Sequence, residues 1–344
     1  MTYLFKQIPE DFRVKEISAM KFKDSGNYIY LKLTKRNRTT LDCIKEIAKA
    51  LHLPENKIGF AGNKDKIAIT EQYISIPASK TEMIAKVRLE NVSLNTVGFG
   101  DDPITLGNLE GNSFEIVIRN LDQKNLDLNV TEKINYVENY FDEQRFGKSN
   151  ATIGKHLIKK EFSEAVKLIE EKKVKEHLLK NKTDFVGALK RLPLRLLKIY
   201  VNAYQSYLWN ETLRLYLTGE KKMIKTVSYT LGEFVFTEKP DQKLEIPLVG
   251  FNEEVIEKVK DEEIKEIILK LMPSEQITFT DFIIKPIPEL SQEGELRKAF
   301  MEVKDLKIGK LEPDELNKGK NKITLSFSLG KGSYATMVIK RNFL

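Results

Sequence analysis

Near residue 153 the spacing of apolar residues changes, and that switch limits the folds open to this chain. Before it, short runs alternate apolar and polar side chains, as in Tyr28-Ile29-Tyr30-Leu31-Lys32-Leu33. A period of two marks half-buried strands. After it, residues 155–216 carry apolar side chains at helical spacing, which predicts helices over Phe162 to Val174 and Leu194 to Tyr216. Residues 225–290 mix short strands with a charged helix, Asn252 to Leu271. Pro286 and Pro288 then mark a loop, and strand character returns at Lys322 to Phe327 and Ala335 to Ile339. Strands, then helices, then strands again give an α+β class with much antiparallel pairing.

Within the first part, Thr39 or Thr40 can cap a helix running to about Leu51, with Leu41, Ile44, Ile47, Ala48 and Leu51 on one face. Strands are expected at Ile58 to Ala61, Ile67 to Ile76, Val87 to Leu94 and Phe114 to Ile118, with a turn at Asn108–Asn112. Thr131 to Phe141 predicts a helix leading into the Arg145-Phe146-Gly147 loop.

The 344 residues are 41% hydrophobic, enough for one large core or two ordinary domains. A single cysteine, Cys43, excludes an internal disulfide framework, a multi-cysteine zinc site and a cysteine-held iron–sulfur cluster. His52, His156 and His177 are scattered and form no metal-ligand pair. No secretory signal pattern and no run of 18 apolar residues is visible, so a soluble cytoplasmic protein with no membrane partner is expected. Net charge is +7, and it is unevenly spread. Residues 1–40 hold nine basic and four acidic side chains and residues 301–344 hold nine and five, which leaves −2 between them. If the two ends meet, they form a basic face suited to phosphates.

The stretch Gly59-Phe60-Ala61-Gly62-Asn63-Lys64-Asp65-Lys66 puts one carboxylate between two lysines in a glycine-bounded turn, with Ile67 to Tyr73 following as a strand. Neighbouring cations favour the ionised carboxylate. That suits a nucleophile or base working on a polyanion, and it equally suits a solvated turn. Nearby glycines and lysines do not match the spacing of a nucleotide-binding loop.

Five ordered segments together resemble the TruD family of tRNA pseudouridine synthases. Ala61 to Asp65 resembles its A-G-x-K-D nucleophile motif. Phe5-Lys6-Gln7-Ile8-Pro9-Glu10-Asp11-Phe12 resembles K-x-x-P-E-D-F, and Gly107-Asn108-Leu109-Glu110-Gly111-Asn112-Ser113-Phe114 resembles G-N-L-x-G-N-x-F. Asn139 to Gly147 resembles N-Y-F-x-x-Q-R-F-G, and Phe327 to Thr336 resembles F-x-L-P-x-G-S-[FY]-A-T, with Gly330 in the proline position.

The resemblance implies a pseudouridine synthase catalytic domain with a mixed, largely antiparallel sheet, interrupted by an inserted α+β TRUD domain. Residues 1–153 and 301–344 would form the catalytic domain and residues 154–300 the insertion. It implies isomerisation of uridine to pseudouridine in tRNA, at position 13 in the D-arm region, with Asp65 catalytic and neither cofactor nor metal. Phe12, Asn139 and Tyr334 match substrate-contacting positions. Lys6 and Arg145 are candidate charge partners for phosphate or for Asp65. One chain would suffice for the site. The rivals are a tRNA-folding factor on the same scaffold without turnover, and an RNA methyltransferase. The latter usually needs a nucleotide-binding glycine loop, and often an activated cysteine, and neither is found.

Overall fold

The computed structural model describes residues 3–122, 134–219 and 223–343. They form two compact units. The first contains residues 1–135, 302–335 and 342–344, and the second residues 136–301 and 336–341.

In chain order the first unit begins with β1 (Phe12–Ile17), β2 (Tyr28–Arg36), α1 (Thr40–Ala50), β3 (Gly59–Phe60), β4 (Ile69–Pro77), α2 (Thr81–Ile84), β5 (Val92–Gly100) and β6 (Gly111–Leu121). The second runs through β7 (Tyr136–Glu138), α3 (Asn150–Ile158), α4 (Phe162–Lys167), α5 (Lys172–Lys180), α6 (Phe185–Leu189) and α7 (Leu194–Gly219). It continues with β8 (Met223–Tyr229), β9 (Gly232–Thr237), β10 (Glu245–Leu248), α8 (Glu254–Glu257), α9 (Glu262–Ser274) and β11 (Glu295–Lys298). The chain closes with β12 (Phe300–Ile308), β13 (Glu312–Pro313), β14 (Asn321–Gly330) and α10 (Ala335–Phe343).

The first unit is built on one sheet in the order β5-β2-β4-β1-β6-β14-β12, with β3 beside β4 and β13 beside β14. Every neighbouring pair in that order is antiparallel except β1 with β4, which is parallel. Alternation along β2 turns Ile29, Leu31 and Leu33 to one face, where they pack on Cys43, Ile44, Ile47 and Ala48 of α1. Thr39 caps α1 by accepting from the Asp42 amide (3.1 Å), as its sequence position predicts. The fold is thus α+β with a large, mostly antiparallel sheet. In the second unit, α7 carries fully buried Trp209, whose indole donates to the Ile246 carbonyl (3.0 Å). No helix among the described residues is long and apolar enough to cross a membrane.

Several expected elements differ. Ala335 to Ile339 opens helix α10 instead of a strand, because all five residues are buried and burial outweighs the strand preference of Val338 and Ile339. Of the expected helix Thr131 to Phe141, residues 131–133 lie outside the described residues. The rest gives β7 and extended chain, in which the Tyr140 hydroxyl donates to the Val235 carbonyl (3.0 Å). The strand expected from Val87 starts only at Val92, after Asn91 turns the chain at φ +57°. The helices expected over Phe162 to Val174 and Asn252 to Leu271 are each broken in two, the second where Asp261 caps α9.

Candidate active site

Parallel pairing of β1 with β4 brings the starts of both strands to the same side of the sheet, in register Arg13 to Ile69. Ahead of β1 lies the Lys6–Phe12 hook, and ahead of β4 lies the Asp65 loop. Pro9 opens a short 3-10 turn, Pro9–Asp11, where a missing N–H costs nothing. The buried Asp11 carboxylate accepts from the Gln7 (3.1 Å) and Ile8 (3.2 Å) amides and from Arg119 Nε (2.8 Å). This folds the hook back and leaves Lys6 at φ +59°. Its ammonium lies 3.2 Å from Asp65 Oδ1 and 3.9 Å from the centre of the Phe12 ring. Three of the expected site residues therefore meet: Lys6, Phe12 and Asp65.

The Asp65 loop is pinned on several sides. Gln72 on β4 donates to the Gly62 carbonyl (3.0 Å) and accepts from the Thr40 hydroxyl (2.8 Å). That hydroxyl in turn accepts from the Lys64 amide (2.9 Å). Lys35, the next core-facing position of β2 after Leu33, is only 1% exposed. Its ammonium donates to the carbonyls of Arg38 (2.6 Å), Lys64 (3.3 Å) and Asp65 itself (2.7 Å). Burial pushes its pKa down to about 8. The Asp65 carboxylate, 38% exposed, projects from this scaffold.

The lysine that pairs with Asp65 is thus Lys6 from the first motif. Lys64 directs its ammonium to Asn112 Oδ1 (2.6 Å) and the enclosed Glu16 carboxylate (2.9 Å), and Lys66 is exposed. The G-N-L-x-G-N-x-F segment contributes more than a turn. Asn112 holds Lys64, and Phe114 packs edge-on to Phe12 (6.1 Å) and against Phe327 of β14 (5.5 Å). Gly111 lies so close to β14 that an added Cβ would stand 2.1 Å from the Leu329 carbonyl oxygen. Phe12, expected as a substrate contact, is 2% exposed and belongs to this aromatic core.

Tyr334 belongs to the first unit and is half-buried just before α10. Asn139 and Arg145 belong to the second. The buried Asn139 amide donates to the Lys298 carbonyl (3.0 Å) and accepts from Arg297 Nη2 (2.7 Å), while Arg297 lies over Phe141 (4.2 Å). Arg145 Nε donates to the Ser206 hydroxyl (3.2 Å). Sequence reasoning missed Lys35, Gln72, Glu16 and Asn112 as parts of the site. One signal was available: a lysine at an inward position of an apolar alternation. No group of three or more His, Cys, Asp or Glu that could hold a metal occurs among the described residues.

Chemically, the arrangement offers a partly exposed carboxylate on a fixed backbone, a cation beside it and an aromatic floor. Comparisons with known proteins bear on its use. The family model described as tRNA pseudouridine synthase D (TruD) matches residues 2–169 and 167–342. The Aquifex aeolicus tRNA pseudouridine synthase D is 34% identical, covering 100% of this chain and 98% of its own. A Methanocaldococcus jannaschii protein named as a probable tRNA pseudouridine synthase D 2 is 37% identical, covering 98% of this chain and 90% of its own. A solved structure from Methanosarcina mazei, described as that of a putative tRNA pseudouridine synthase D, superposes with TM-score 0.70 at 26% identity, covering 98% of this chain and 93% of its own.

Proposed function

Because the chain belongs to the TruD family of tRNA pseudouridine synthases, we propose that it isomerises uridine 13, in the D-arm region of tRNA, with Asp65 as the catalytic residue and no cofactor. The observation that carries this reading is the Asp65 carboxylate, paired with Lys6 on a loop anchored by Lys35, Thr40 and Gln72. Fixing a reacting group before substrate arrives removes much of the entropic cost of the reaction.

The reaction breaks the glycosidic bond, turns the base and rejoins it to the ribose through carbon 5, which then loses its proton. Atoms and electrons balance within the nucleoside, so neither oxidant nor reductant is needed. Asp65 acts on the base, on the ribose carbon, or on a ribose proton. In each case Lys6, 3.2 Å from Oδ1, orients the carboxylate. The target base must leave its stack to arrive here. Phe12, with the Lys6 ammonium over its ring, backs the position where the target base meets Asp65. Tyr334, Asn139 and Arg145 complete the proposed substrate contacts. Asn139 retains a second N–H and a second lone pair beyond its bonds to Lys298 and Arg297, enough to read a uracil edge. We assign residues 1–153 and 301–344 to the catalytic domain and 154–300 to the family's inserted domain. One chain, acting in the cytoplasm with its tRNA, suffices.

Tritium release from tRNA transcripts labelled at carbon 5 of uridine tests the proposal. Wild type should release label, Asp65→Ala should bind the transcript and release none, and a transcript with cytidine at position 13 should give no release. Binding without release by wild type would favour the tRNA-folding factor.

A further inference from the structure

The middle of the chain is slightly acidic, yet residues 172–198 hold nine basic side chains against two acidic ones. These residues cover α5, α6 and the start of α7 in the second unit. The fold gathers the cations. Val174 of α5 and Ala188 and Leu189 of α6 are fully buried, and α5 and α6 border an open cavity of about 600 Å³. Lys173, Lys180, Lys190, Arg191, His177 and Glu176 line it.

The negative groups near the cavity are largely committed. Asp184 caps α6 through the Gly187 amide (2.8 Å), and its other oxygen lies 2.8 Å from His177 Nε2. His177 Nδ1 accepts from Arg191 Nε (3.3 Å), so Nε2 carries the ring proton and donates it to Asp184. Glu176 pairs with Lys172 (3.5 Å). Among the described residues, no ion pair or hydrogen bond engages the ammonium groups of Lys173, Lys180 or Lys190, and all three side chains are exposed. Lys173 and Lys180 are seven residues apart on one face of α5, about 10 Å along the axis. No Phe, Tyr or Trp lines the cavity. A pocket for a small molecule is typically enclosed and mostly apolar. An open hollow lined by unneutralised lysines fits a chain of phosphates and reads no bases.

We propose that the α5–α6 cavity is a phosphate subsite for the tRNA backbone, taking two or three phosphates through Lys173, Lys180 and Lys190 with Arg191 at its edge. It rests on the reading of tRNA as substrate and adds a second, sequence-independent anchor away from the reacting nucleotide.

The test compares wild type, the triple variant Lys173→Gln, Lys180→Gln, Lys190→Gln, and a control with Lys258, Lys260 and Lys270 changed to Gln. Those control lysines are equally exposed, in and around α8 and α9. The probe is a full-length tRNA transcript, with Kd measured across a salt series and kcat measured by tritium release at saturating transcript. Each lost phosphate contact flattens the plot of log affinity against log salt by roughly 0.7–0.9. The cavity variant should therefore show a slope shallower by about 2 and a Kd raised about 10–100-fold at low salt, with kcat unchanged. Replacement by Arg at the same three positions should restore binding. An unchanged slope, or an equal change in the control, would overturn the subsite. Tight, salt-dependent binding by wild type without tritium release would instead overturn the pseudouridine synthase reading while leaving the subsite measurable.

Discussion

Replacing Lys35 by Met asks whether Asp65 works only on a fixed loop. Met retains much of the buried stem and loses the ammonium that donates to the Arg38, Lys64 and Asp65 carbonyls. The two short bonds, to Arg38 and Asp65, are together worth about 3–6 kcal/mol, since a charged donor contributes roughly 1.5–3 kcal/mol per bond. Burying the cation opposes this. Its pKa falls from 10.5 to about 8, equivalent to about 3 kcal/mol. The variant should therefore be destabilised by no more than about 3 kcal/mol at pH 7 and remain folded.

The pH dependence identifies the group. Because the folded pKa lies below the unfolded one, the unfolded state holds more protons between about pH 8 and 10.5. Wild-type stability gains up to about 3 kcal/mol as pH rises through that window. The gain is lost as pH falls through 8. The gap in denaturant-measured stability between wild type and variant should widen accordingly at high pH. A loop displaced by about 1 Å should lower single-turnover tritium release about 10–100-fold with tRNA affinity unchanged. A rate within about twofold of wild type, together with a pH-independent stability gap, would refute the role given to Lys35.

Two further perturbations follow from the same packing. Gly111→Ala forces Cβ against the Leu329 carbonyl, which should lower stability by about 1–3 kcal/mol in urea unfolding and slow turnover through Asn112 and Lys64. In the second unit the Glu138 carboxyl is pushed up to about 7 by burial, against the opposing pull of Arg341. Its folded pKa lies above the unfolded value, so its contribution to stability is full below pH 4.5 and lost as pH rises through 7. Glu138→Gln, which keeps an acceptor for the Thr237 amide, should remove that decline of up to about 3 kcal/mol in denaturation curves recorded between pH 4.5 and 8.

Legibility in the sequence followed the range of each interaction. Helix α1 was readable because its cap and its apolar face lie within a dozen residues, and the 26-residue α7 announced itself by length. Helix α10 was not, because its Val and Ile favour strands and only burial overrules them. At the site, Asp65 was singled out by its neighbours in sequence, but its cation comes from Lys6 rather than from Lys64 or Lys66. That exchange depends on β1 pairing parallel to β4, which no local pattern encodes. Lys35 contributed to the reading only as one more positive charge. Its role emerges when the inward face of β2 is followed past Leu33 to a position where apolar side chains stop and backbone carbonyls begin.

The position of β14 between β6 and β12 has a consequence for synthesis. The first unit's sheet is laid down in two instalments, and the strand that joins them is made only after residues 136–301 of the second unit. Until then β6 offers a bare hydrogen-bonding edge, with Phe114 waiting for Phe327. A chain stopped short of Asn321 would carry every residue of the Asp65 loop and still lack the partner that covers β6. Such a fragment would be an aggregation hazard rather than a weak enzyme.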